Sequence, residues 1–189
     1  MACRNEAKKM HLSVWIIAVA ALAHGLAHAD VAAANRWIDQ EFQPSSLTRL
    51  QQQTELKWFV NAAEQLKRRG VNRIRVVSET IDTHVYESRT LAKAFEEITG
   101  ITVKHEMVPE GELVDKLYAA IKTGVSDYDG WISDSDLIGT HYRYGTVVPL
   151  SDFMQGAGRE FTNPGLDLAD FIGTAFTTAP DGKLYQLAD

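Results

Sequence analysis

The densest grouping of hydrogen-bonding side chains in the chain is Asp134-Ser135-Asp136, directly after a short apolar run at 128–133. A second polar group, Glu79 and Thr80 with His84 shortly after, follows another apolar run. A carboxylate accepts two hydrogen bonds at once, so such groups suit the vicinal hydroxyls of a neutral polyol. The same atoms admit other chemistry. Asp134 and Asp136 could work as the paired acid and base of a hydrolase. Asp134 or Ser135 could instead cap the helix that follows, accepting from its first free N–H groups. His84, His105 and His141, with Glu79, Asp134 and Asp136, are of metal-ligand type, but no pair has a recognised spacing such as H-x-x-x-H, and no metal is expected. His105 lies inside an apolar alternation and reads as structural. The chain has no G-x-S-x-G elbow, Walker loop or G-x-G-x-x-G, and Gly156-x-Gly158 matches none of them. No cofactor and no enzyme activity are expected, with a hydrolase as the alternative.

These groups need a scaffold, and 189 residues with 45% hydrophobic content supply one with a real core. The net charge of −6, with no basic stripe, argues against a nucleic-acid partner. Residues 1–29 have the form of a signal peptide. Arg4, Lys8 and Lys9 are its basic region, 12–23 its apolar stretch, and Ala27-His28-Ala29 its small-x-small cleavage site. The apolar stretch is shorter than the ~20 residues a membrane span needs, which disfavours the alternative of an uncleaved anchor. The expected location is the periplasm. The single cysteine, Cys3, leaves with the leader, so the exported chain must be stabilised by burial without disulfides.

Residues 30–70 read as a helical N-terminal extension. Ser45 or Ser46 is the expected N-cap after Pro44, and Leu56, Phe59, Val60, Ala63 and Leu66 recur at helical spacing up to Gly70. Trp37 and Trp58 read as packing residues. Residues 71–189 then alternate. The expected elements are a strand at 72–78, a polar connection at 79–84, a helix at 86–99, a strand at 101–108, a helix from Pro109 to Gly124 and a strand at 128–133. Strand–helix alternation at this spacing implies right-handed βαβ units and a parallel sheet. A further helix, a short strand at 146–150, helical turns at 151–154 and 166–171, and two strands flanking Pro180-Asp181-Gly182 complete the expectation. In a parallel sheet Glu79-Thr80 and Asp134–Asp136 leave at the same edge, where open α/β sheets bind ligands.

Three motifs carry a family resemblance. LAKAFEEITGITV at 91–103, the strand–Asp-loop–GTVVPLSDF segment at 128–153, and PDGKLYQL at 180–187 resemble the solute-binding proteins of carbohydrate ABC importers. Within that family, 35–56, 78–87, 134–141 and 177–187 are most similar to its glycerol-binding branch. The resemblance implies an α/β, periplasmic-binding-protein-like lobe that closes on a ligand. It implies a monomer that captures a sugar or polyol, glycerol above all, and delivers it to inner-membrane permease subunits. It also implies that Glu79, Thr80, His84, Asp134, Ser135 and Asp136 are ligand-binding. Family members are considerably longer, and Ala188 stands where they usually have proline. The chain thus resembles the N-terminal part of one lobe, and a fragment without transport function is the second expectation.

Overall fold

The computed structural model describes residues 30–145 and 147–187; residues 1–29, where a signal peptide is expected, Thr146, Ala188 and Asp189 lie outside them. Two helices come first, α1 (Val31–Gln40) and α2 (Arg49–Arg68). The N-cap of α2 is Thr48 rather than Ser45 or Ser46. Thr48 and Gln51 form a reciprocal capping box, which satisfies two otherwise free N–H groups, and a lone serine upstream cannot match that. Of the expected apolar stripe, Val60 and Ala63 are buried, whereas Phe59 is exposed.

The α/β part begins with β1 (Arg73–Glu79), whose β-branched centre favours a pleated strand. Next come α3 (Asp82–Tyr86), a wide π-type turn (Glu87–Leu91) and α4 (Ala92–Thr99), which run on from one another. The polar connection is therefore only Thr80 and Ile81, and His84 sits inside a helix. Gly100, at φ 71°, ends α4 in a left-handed conformation that side chains with a Cβ resist. Then follow β2 (Thr102–Val108), α5 (Glu110–Thr123) and β3 (Gly130–Ile132). β3 is shorter than the apolar run that announced it.

The sheet is mixed with helices, fully parallel, and ordered β2-β1-β3. β1 pairs with β2 from Arg73↔Thr102 to Glu79↔Val108, and with β3 from Val76↔Gly130 to Ser78↔Ile132. Because side chains alternate across a strand, the two faces differ. On one face Val77 and Val108 pack on Leu113 and Leu117 of α5. On the other, Ser78 and His105 meet α3, with the rings of His84 and His105 6.5 Å apart. The chain winds outward from β1 in both directions, an order that sends successive crossovers to opposite faces.

The N-terminal helices pack on the α/β part. Ala33, Ala34 and Val60 share a buried cluster with Ile98 of α4, flanked by Trp37 and Leu56. The indole of Trp37 also donates to Glu97 at 2.8 Å, and the Asp30 N–H donates to the Ile98 carbonyl. Trp37 thus packs as expected, while Trp58 sits edge-on to Phe59.

After β3 come a 3-10 turn (Ser135–Leu137), α6 (Ile138–Tyr144) and α7 (Leu150–Gln155). The expected strand at 146–150 is not formed among its described residues. Pro149 has no N–H for a ladder and instead precedes the first turn of α7. The expected helix at 166–171 is a 3-10 turn, Leu168–Asp170. The two expected strands around Pro180 reduce to one antiparallel bridge, Thr178↔Leu184, beside a tight turn in which Gly182 donates to the Ala179 carbonyl. No described helix is long and apolar enough to cross a membrane.

Candidate functional site

β1 and β3 are neighbours and parallel, so Glu79-Thr80 and Ser133-Asp134 leave the sheet side by side at its C-terminal edge. Their side chains then diverge. The Thr80 hydroxyl turns back to donate to the Val108 carbonyl at 3.2 Å. His84 is buried, with Nδ1 2.9 Å from the Glu79 carbonyl. That carbonyl also accepts the Ser78 hydroxyl at 3.0 Å, while Ser78 Oγ lies 2.7 Å from His105 Nε2. His105 is thus tied to the sheet, and burial together with the nearby His84 holds its pKa below the ordinary 6.5. Asp134, Ser135 and Asp136 are exposed, and no side chain caps the 3-10 turn they open.

A hollow of about 740 Å³ lies along β3. Its inner wall is the strand itself, from Asp129 through Trp131 to Ser135. Since β3 is an edge strand, this wall is the margin of the sheet turned away from β1. The opposite walls come from distant segments: Val147, Val148 and Leu150, then Ile172 and Phe176, then Tyr185 and Gln186. Asp134 and Ser135 belong to its lining. Glu79, Thr80, His84 and Asp136 lie outside that lining, so the hollow unites only part of the expected site.

β3 is pinned at its entrance, where Asp129 both donates its N–H to the Arg75 carbonyl and accepts the Arg75 N–H on its carboxylate, each at 2.8 Å. At its exit the side-chain amide of Gln186 donates to the Ser133 carbonyl at 2.7 Å. Ser151 and Leu184 exchange a second pair of bonds, and the Tyr185 N–H donates to Thr177. These contacts draw 147–187 around the edge strand. Ile172 (90% exposed) and Phe176 (75% exposed) remain open to solvent at the rim.

The wall also holds polar groups without partners. His141 of α6 is 0% exposed, and neither of its ring nitrogens has a hydrogen-bond partner. Ser133 Oγ and Gln186 Oε1, both buried, are also unpartnered. His141 packs against Trp131, ring centroids 5.7 Å apart. Burial lowers its pKa from the ordinary 6.5, which keeps the imidazole neutral, one nitrogen a donor and the other an acceptor. In the opposite wall the Tyr185 phenol donates to Asp181 at 3.1 Å; burial first, and that contact second, raise its pKa.

No protein-family model, curated protein or solved structure matches the chain.

The α/β class and the parallel sheet rest on the chain's own geometry. Sequence reasoning missed Ser133, Trp131, Tyr185 and Gln186 as wall residues and placed His141 only among possible metal ligands. Among the described residues no group of three or more His, Cys, Asp and Glu is arranged to hold a metal. No local pattern marks Gln186, because its role depends on a contact across 53 positions of sequence.

Proposed function

We propose that the chain is the periplasmic substrate-binding part of an ABC importer, a lobe that captures a sugar or polyol, with glycerol the first candidate, for inner-membrane permease subunits. The observation that carries this reading is the hollow beside β3. It combines apolar and aromatic walls with a few converging polar groups, the composition of small-molecule sites. Trp131 and Phe176 offer apolar faces to C–H surfaces, and Asp134 and Ser135 offer acceptors to hydroxyls. The leader-like start and the family resemblance of 91–103, 128–153 and 180–187 supply the periplasmic location and the transport role. Of the other expected residues, Glu79 stands at the neighbouring end of β1 and Asp136 in the turn after β3, where a closing partner surface would reach them, while the Thr80 hydroxyl and His84 Nδ1 are engaged by the backbone.

Capture is favoured over hydrolysis by the placement of the two aspartates. Asp134 lines the hollow and Asp136 does not, so they do not face one bound molecule as an acid–base pair. Titration calorimetry of the chain with glycerol and neutral sugars tests the reading. Saturable binding without turnover is expected. Asp134→Ala should weaken it by about 1.5–3 kcal/mol, the range for a hydrogen bond to a charged group. Absence of binding across the panel, or consumption of the ligand, would overturn it.

A further inference from the structure

We infer that His141, Ser133 and Gln186 form a recognition niche for a ligand hydroxyl where the inner and opposite walls of the hollow meet. This deepens the proposed binding function and rests on it. Four polar atoms on residues that line the hollow are buried without hydrogen-bond partners: both ring nitrogens of His141, Ser133 Oγ and Gln186 Oε1. Buried polar groups are otherwise almost always paired, because each one left unsatisfied is destabilising. Such a cluster in the wall of an open hollow marks where a bound molecule supplies the missing bonds.

The inventory of the niche defines the chemistry of that molecule. A neutral imidazole gives one donor and one acceptor, the serine hydroxyl gives either, and the free glutamine oxygen only accepts. A hydroxyl matches this set, since it donates one hydrogen bond and accepts two. A carboxylate cannot donate to Gln186 Oε1, and it would meet Asp134 at the same hollow. An ammonium cannot accept from the imidazole N–H. The flat Trp131 ring beside His141 favours a carbon skeleton lying alongside. Solvent does not reach the four atoms, so binding includes a small outward shift of the 185–187 segment, which the Gln186 amide now tethers to Ser133.

The test is the affinity of the full chain and two variants for glycerol and glucose, with melting curves for each. His141→Phe keeps the ring shape and removes both nitrogens, so it should melt at or above the wild-type temperature while binding glycerol or glucose at least tenfold more weakly. Ser133→Ala removes an oxygen that makes no bond in the free protein. It should fold unchanged and bind several-fold more weakly, and it serves if His141→Phe does not fold. If wild type binds a polyol and Asp134→Ala weakens it, while His141→Phe or Ser133→Ala binds as well as wild type, the niche is refuted and the binding function stands. If wild type binds no hydroxyl compound, both fall together.

Discussion

The side-chain amide of Gln186 donates to the main-chain carbonyl of Ser133 at 2.7 Å. This bond spans from the last described stretch of the chain to the end of the edge strand, and it gives the hollow its far wall. A side chain here takes the place that a neighbouring strand's N–H would fill. Gln186→Ala should therefore lower stability by about 1 kcal/mol, the net contribution of a typical hydrogen bond. Urea denaturation measures it, and an unchanged midpoint would show that the 185–187 segment is held by other contacts.

The sheet depends on a different set of residues. Leu117 is 4% exposed between α5 and the strands, in the cluster with Val77 and Val108. Leu117→Ala removes its contacts and leaves a cavity, with an expected loss of about 2–5 kcal/mol. A loss well below that range, measured by the same denaturation, would mean that α5 packs loosely on the sheet.

At the other end of the molecule, Thr48 and Gln51 close the capping box of α2. Thr48→Ala should cost about 1 kcal/mol, while Ser45→Ala and Ser46→Ala should stay within about 0.5 kcal/mol because neither caps the helix. The reverse ranking in thermal melts would restore the serines as caps.

Acid should weaken the fold through its buried histidines. Burial lowers the folded-state pKa of His141, and burial with the charge of His84 lowers that of His105. Above the ordinary 6.5 these residues are neutral in both states, and stability does not depend on them. Below it the unfolded chain takes up protons that the folded chain does not, so stability falls until the lowered folded pKa is passed. Denaturation midpoints should therefore drop on going from about pH 7 to about pH 5, and His141→Phe should flatten part of that slope. An identical slope in the variant would show that His141 titrates normally.

Much of the scaffold was legible because it follows local rules. Helical spacing announced α2 and α5, and the strands expected at 72–78 and 101–108 appear as β1 and β2. Their order announced a parallel sheet. What failed was non-local or set by a single residue. Pro149 could not join a ladder, so the strand expected at 146–150 did not form among its described residues. The segment 184–187, read as a strand, found one bridge at Leu184 and otherwise turned its residues toward the hollow. The site was half legible. Asp134 and Ser135 do line a cavity, but it runs along the side margin of β3 and leaves out Glu79 and Thr80, with which they were expected to share a cleft. Thr80 and His84 instead spend their polar atoms on the backbone, a choice fixed by the helix that starts at Asp82. His141, Ser133 and Gln186 come together only once three separate segments have packed.

Calorimetric titration of glycerol and neutral sugars into wild-type chain, Asp134→Ala and His141→Phe tests the binding claim most directly. The proposed function predicts saturable binding to wild type, weakened about tenfold or more by Asp134→Ala, and the niche predicts the same loss for His141→Phe with no loss of stability. No heat of binding to wild type for any hydroxyl compound would contradict it.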